Sequence, residues 1–260
     1  RDLHSFPTRR SSDLIVYSPL DALKLAQEHP DKEIVFVGVG FETTTPLVAM
    51  AIKRAQALGL KNFSVFVAHK NMPNALEVIV SDPELKIDAL ILPGHVSTII
   101  GTKPYEFLAE KYGIPGVITG FEPVDVLQGI AMIMRQLHEG RAEIEIAYSR
   151  GVMREGNPVA LAAIDEVFDT VDATWRGLGV IPGSGYAIRE EFEDFDAVKR
   201  FHPEVEPTQN PKGCRCGDVL RGIMAPDECP LFRKVCTPEN PVGPCMVSSE
   251  GSCAAYYRYY

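Results

Sequence analysis

Six cysteines carry the thiol chemistry open to this chain, and all of them lie in its last forty-seven residues, while the 213 residues before Cys214 hold none. Taken as a set of four, Cys214, Cys229, Cys236 and Cys253 are separated by fourteen, six and sixteen residues, and no pair among them has the C-x-x-C spacing of a zinc ribbon. Four thiolates suffice to hold a [4Fe–4S] cluster, which would leave Cys216 and Cys245 as a dithiol beside it. A zinc site with two spare thiols would use the same residues, and six cysteines could also form three disulfides in any of fifteen pairings. A reducing compartment demotes the disulfides, but spacing does not choose the metal.

A second group of polar residues stands at strand ends. In "GVGFETT" a Gly-rich strand end meets Glu42, Thr43 and Thr44. Its hydroxyls could cap the next helix and leave backbone N–H groups and Glu42 facing an anion or a partner. The plainer reading is an ordinary βα turn. In "ILPGHVSTIIG" His95 follows a strand as a loop residue, with Ser97 and Thr98 close by, and "GFEP" repeats the Gly-Phe-Glu of the first loop with Glu122. Open α/β folds bind ligands at the carboxyl edge of the sheet, so Glu42, His95 and Glu122 are expected to converge there. Neither the phosphate loop G-x-x-x-x-G-K-[ST] nor the three-glycine dinucleotide fingerprint occurs in the first of these loops, and nothing sets a base beside a serine nucleophile.

The elements that must position these groups alternate along the chain. The apolar runs "EIVFVGVG", "NFSVFVAH", "DALILPGH", "PGVITG" and "AEIEIAYS" read as strands. Between and after them, helical periodicity predicts helices over about 45–58, 73–80, 105–111, 124–138 and 158–168. Strand, helix, strand in series is the βαβ signature, and apolar runs of this kind suit a parallel sheet covered on both faces. Beyond Phe168 the Gly-rich "WRGLGVIPGSGYAI" and the acidic "REEFEDFDAVKRF" break the alternation, and Pro203, Pro207 and Pro211 stiffen a connection into the cysteine region.

Composition narrows the partners. The 260 residues are 45% hydrophobic and carry a formal net charge of -9 with the signs interspersed. That balance gives no footprint for a polyanion, so nucleic acid is not expected as a partner. No apolar run approaches the roughly 20 residues needed to span a bilayer and no secretory signal is evident, which reads as a cytoplasmic protein without a membrane partner. The first fourteen residues, "RDLHSFPTRRSSDL", have no periodicity and read as a foreign scar, with the natural sequence starting near Ile15 as part of something longer.

Taken together, "YSPLDALKLA", "GFETTTP", "LPGHVSTIIG", "GFEPVDVLQGI", "IPGSGYAI", "CRCGDVLRG" and "CPLFRKVCTPENPVGPCMVSSEGSCAAYYRY" resemble, in that order, the signatures of the HypD family of hydrogenase maturation factors. The resemblance runs from about Ile15 to Tyr260. It implies an α/β fold with two parallel-sheet βαβ domains facing a cleft and a C-terminal iron–sulfur region. Residues 15–150 would be α/β domain, 151–205 the continuation of the second domain and a linker, and 206–260 the cluster region. It implies Cys214, Cys229, Cys236 and Cys253 as [4Fe–4S] ligands and Cys216 with Cys245 as a redox pair, resembling ferredoxin:thioredoxin reductase. Glu42, Thr43, Thr44, His95 and Glu122 would line the cleft. The family's N-terminal third, with cysteine elements implicated in holding a transient Fe(CN)2CO unit, has no counterpart here. The implied partners are HypC and HypE, and the implied role is a redox-active assembly scaffold more than a turnover enzyme. The competing expectation is a stand-alone iron–sulfur dithiol oxidoreductase acting on a protein disulfide.

Overall fold

The computed structural model describes residues 13–204 and 211–260. The expected foreign scar therefore lies outside the described residues except for Asp13 and Leu14, as does the start of the expected cluster region up to residue 210.

The chain opens with α1 (Pro19–Glu28), β1 (Ile34–Gly38), α2 (Thr45–Ala57), β2 (Phe63–Val67) and α3 (Met72–Val80). It continues through β3 (Leu90–Pro93), α4 (Gly94–Ile100), α5 (Glu106–Glu110), β4 (Gly116–Thr119), α6 (Pro123–Glu139) and β5 (Ile144–Ile146). Then come α7 (Pro158–Val167), β6 (Phe168–Trp175), β7 (Gly179–Ile188), α8 (Ala197–Phe201), α9 (Cys216–Leu220), α10 (Pro244–Val247) and α11 (Ser252–Tyr259). Several helix starts are written locally. Ser18 Oγ accepts the Leu20 N–H at 3.1 Å ahead of α1, and Asn157 Oδ1 accepts those of Val159 and Ala160 at 3.0 and 3.1 Å ahead of α7. A proline follows each cap in the first turn, where its missing N–H costs nothing.

The strands form two parallel sheets and one antiparallel hairpin. β1 pairs with β2, β3 and β5 flank β4, and β6 folds back on β7 with a register shift between Val171 and Ala173. Around β1–β2, Leu23, Ile52, Phe63, Val65, Ile164, Val167 and Phe195 make one core, so the chain returns through α7 and the hairpin to the sheet it left at β2. A second core gathers Leu92, Val96, Tyr105, Leu108 and Ile118 around β3–β4. Each such side chain, fully buried, contributes about 1.5–3 kcal/mol by leaving water.

Three expectations need correction. His95 lies in helix α4, which starts directly from β3 with no loop between them. The carboxyl ends carrying Glu42 and those carrying His95 and Glu122 belong to two sheets, not one. β3 is not added beside β2 because Asp196 already bridges Val65 along that strand and α8 packs there. The Gly-rich segment 179–188 is a ten-residue strand rather than a break in the pattern.

Candidate metal centre and the adjoining cleft

The cysteine region has little regular structure, and its thiols sit where short turns place them. Cys236 N–H donates to the Leu231 carbonyl at 3.0 Å, closing a turn that carries Arg233 at φ 56°, and Val242 N–H lies 3.4 Å from Cys236 Sγ. Cys214, Cys216, Cys229, Cys236 and Cys253 then line one pocket with Val219, Leu231, Phe232 and Met246. Cys245 is buried just behind it, on α10. Among the described residues no three His, Cys, Asp or Glu side chains converge on the point a single metal ion would occupy. The thiols are arranged around a shared space.

That space fits a thiolate-bound cluster in two respects. Its donors are all soft sulfur and its other walls, apart from Arg215, are apolar side chains and Gly243, a combination that iron–sulfur clusters take. Gly243 also presses its backbone onto the thiols, for a Cβ there would lie 2.5 Å from both Cys214 Sγ and Cys216 Sγ. The C-terminal aromatics close the outside: the Phe232 ring meets Tyr256 edge-on at 5.9 Å and Tyr257 at 5.8 Å.

The sulfurs are electrostatically unequal. A hydrogen bond from the Cys245 thiol, with a second from a backbone N–H, holds the Cys216 thiol below its usual range. The shared proton pushes Cys245 up in turn, and the bond it makes to Cys253 lowers that thiol. Burial pushes Cys214 up to about 11, and the contact of its Sγ with Cys216 Sγ at 3.3 Å pushes it the same way. Cys216 thus has Cys214 Sγ at 3.3 Å on one side and the Cys245 thiol that lowers its pKa on the other, so the three thiols stand together and no Cys216–Cys245 pair is singled out.

Glu42 is 2% exposed. Its Oε1 accepts the Met72 N–H at 2.9 Å at the start of α3, while Oε2 has no partner among the described residues, and burial raises its pKa. Gly40, at φ 146°, makes the turn, since a Cβ there would lie 2.3 Å from Thr44 Oγ1. Thr44 does not cap α2 as expected. Its backbone is already helical at φ -105° and ψ -24°, and its hydroxyl donates back to the Phe41 carbonyl at 3.2 Å, which Thr45 Oγ1 also reaches at 2.9 Å. Thr43 is exposed.

His95 stands apart from Glu42. It is exposed at the start of α4, edge-on to Phe121 at 4.8 Å and Tyr148 at 6.0 Å. Glu122, next to Phe121, pairs with Arg150 at 3.6 Å, and Arg150 donates to buried Asp125 at 2.7 Å. The structure therefore brings His95 and Glu122 into one neighbourhood. Sequence reasoning missed Asp125 and Arg150; an acid in the first turn of α6 was the available signal.

It also missed the piece joining the two sites. Phe41, in the Glu42 loop, packs on Trp175 at 6.0 Å, and Trp175 Nε1–H donates to Ser184 Oγ at 2.8 Å. The next residue, Arg176, donates to the Val242 carbonyl at 3.2 Å, and Gly177 abuts α9 so closely that a Cβ on Gly217 would lie 2.7 Å from its carbonyl oxygen.

Comparison with known proteins adds the following. A family model described as "HypD: Hydrogenase formation hypA family" matches residues 2–260. The chain is 50% identical over 252 residues to the hydrogenase maturation factor HypD of Cupriavidus necator, a match covering 94% of this chain and 66% of that protein. It is 51% identical over 251 residues to the hydrogenase expression/formation protein HupD of Azotobacter chroococcum, and 49% over 250 residues to HypD of Rhodobacter capsulatus, with the same two coverages. The chain thus spans 66% of the length of these relatives.

Proposed function

Because this chain belongs to the HypD hydrogenase-formation family, we propose that it serves hydrogenase maturation in the cytoplasm as a redox-active scaffold. In this reading Cys214, Cys229, Cys236 and Cys253 hold a [4Fe–4S] cluster, with Cys216 and Cys245 as the dithiol. When bound, such a cluster supplies electrons one at a time. The chain's own residues do the rest. Cys216, the more acidic thiol, is the attacking nucleophile in thiol–disulfide exchange, and Cys245 is the resolving thiol that hands over its proton. Disulfide formation between them releases two electrons and two protons, which reduce one substrate disulfide to two thiols. His95 and Glu122, exposed in one neighbourhood, offer an imidazole and a carboxylate for docking the iron-bearing substrate, Fe(CN)2CO in the family, carried by HypC and HypE, while the buried Glu42 holds the loop at the end of β1.

The observation that supports this most is that five of the six thiols line one pocket, with Cys245 buried behind it, and that Cys216 there abuts the hairpin tip whose Trp175 packs on the Glu42 loop. The test is anaerobic purification with and without HypC and HypE. Brown protein with about four irons and four sulfides, losing colour in Cys229→Ser and Cys236→Ser, is expected, with HypC co-purifying. Colourless protein with stoichiometric zinc after anaerobic iron and sulfide reconstitution refutes the cluster, and failure to capture HypC refutes the scaffold role.

A further inference from the structure

Beside the start of α3 lies a pocket of about 410 Å³ that shares no lining residue with the thiol pocket. Two of the residues lining it are both polar and buried. Glu42 and Asn71 are 2% and 6% exposed, and each keeps one oxygen without a partner among the described residues, Oε2 of the first and Oδ1 of the second. The rest of each side chain is already committed. Glu42 Oε1 accepts the Met72 N–H at 2.9 Å, and Asn71 Nδ2 donates to the Gly183 carbonyl at 2.6 Å. Neither group can turn its free oxygen elsewhere without breaking a bond to the backbone. A buried acceptor without a donor is destabilising, and a buried carboxylate without a cation is more so. Glu42 forms no ion pair among the described residues.

The remaining walls narrow what would satisfy both oxygens. Pro73, Ile100, Pro104 and Leu161 are apolar, and at the mouth exposed Lys103 and Glu155 stand 3.8 Å apart, one charge of each sign. A hard metal ion takes about six oxygen ligands, and these walls do not supply them. A neutral amide could donate to both oxygens but would leave the carboxylate charge uncompensated. A protonated primary amine brings three donors and a positive charge together, and its carbon chain suits apolar walls. We infer that this pocket is a binding site for a small aliphatic primary amine, its ammonium group donating to Glu42 Oε2 and Asn71 Oδ1 and its chain lying on Pro73, Ile100 and Leu161 toward the Lys103–Glu155 mouth. Glu42 belongs to the loop after β1, and Asn71 is bonded to β7, so the amine ties that loop to the hairpin. The site is independent of the thiol chemistry proposed above.

The test uses the full chain at pH 8 and constant ionic strength, with n-butylammonium chloride as the probe. Amide NMR follows Met72, whose N–H is bonded to Glu42. A saturable shift of that resonance is expected. Tetramethylammonium chloride, with the same charge but no N–H, should bind at least about tenfold more weakly. Glu42→Gln should weaken butylammonium binding by at least about tenfold. Lys103→Glu, at an exposed residue, leaves the buried oxygens untouched and should strengthen binding several-fold, which keeps the test decisive if Glu42→Gln fails to fold. Absence of a saturable shift, as when a protonated Glu42 donates to Asn71 itself, overturns the inference. So do equal binding of the two ammonium ions, the same shift with potassium chloride, or an unchanged affinity in Lys103→Glu.

Discussion

His69 is the sharpest probe of how the β1–β2 sheet is built. The residue is 1% exposed, and neither ring nitrogen has a hydrogen-bond partner among the described residues. Its ring lies against β1, where a Cβ on Gly38 would come within 2.8 Å of Cε1. Burial holds its pKa at about 4 against the ordinary 6.5. The unfolded chain therefore takes up a proton near pH 6.5 that the folded chain refuses until about pH 4. Between those values the unfolded state binds more protons, so this contribution to stability is complete above pH 6.5 and is lost as pH falls toward 4. At about 1.4 kcal/mol per unit, the loss relative to pH 8 is about 1.4 kcal/mol at pH 5.5 and about 2.6 kcal/mol at pH 4.5. Urea denaturation of the wild type and of His69→Leu across pH 4.5 to 8 measures it. The variant removes two unsatisfied nitrogens with little change in bulk, so at pH 8 it should lie within about 1 kcal/mol of the wild type. On acidification the two curves should diverge by the figures above. Parallel curves would refute the reasoning, because every other titrating group is common to both proteins.

Glu42 should behave in the opposite sense. Burial raises its pKa, so its stabilising effect is complete below the ordinary carboxylate value and is lost as pH rises through the shifted one. Glu42→Gln should abolish that loss, giving a variant whose stability gains on the wild type as pH rises, read from the same urea series. Gly243→Ala puts a methyl 2.5 Å from two thiols, so reconstituted iron content should fall well below the wild-type value while far-ultraviolet circular dichroism stays unchanged; full iron loading would contradict the cradle. Arg221 donates to Asp82 and, at 2.6 Å, to Asp218, and its carbonyl accepts the Lys86 N–H at 3.3 Å. Arg221→Ala should therefore speed limited proteolysis within 211–260 several-fold without altering the thermal unfolding of the first core, and unchanged cleavage would show that this clasp holds nothing.

The parallel strands and their helices were legible because they advertise themselves, although their division between two sheets was not. The apolar run "PGVITG" is β4, and the period predicted over 124–138 is α6, extended by one residue at each end. What was not legible depended on contacts between distant residues. Gly94 reads as a chain breaker, yet it is glycine because α4 starts against β4, where a Cβ would lie 2.2 Å from the Thr119 carbonyl oxygen. Gly185 reads as a loop residue, yet it is needed where β7 crosses Ala173 of β6, with 2.7 Å to that Cβ. Spacing identified the thiols as a group. It could not say which of them share a proton, since that follows from turns at Leu231–Cys236 and Gly243–Met246 that have no periodic signature.

The tip of the β6–β7 hairpin is where the two chemistries of this chain meet, and its residues explain why it is a rigid joint. Trp175 is fixed at both ends, its ring against Phe41 and its indole N–H on Ser184, whose own hydroxyl donates to the Ile181 carbonyl at 2.8 Å. The same strand β7 receives the Asn71 amide, which donates from Nδ2 to the Gly183 carbonyl at 2.6 Å and from the backbone to Ser184 at 3.0 Å. Asn71 directly precedes Met72, whose N–H holds Glu42. A displacement of α9 at Cys216 would push on Gly177, and the hairpin behind it has no slack toward the Glu42 loop. Packed interiors transmit strain instead of absorbing it. In the proposed role, a change of state at Cys216 would reach the carboxyl end of β1 through the Gly177, Trp175 and Phe41 contacts, each made by a residue that the thiol spacing alone could not have singled out.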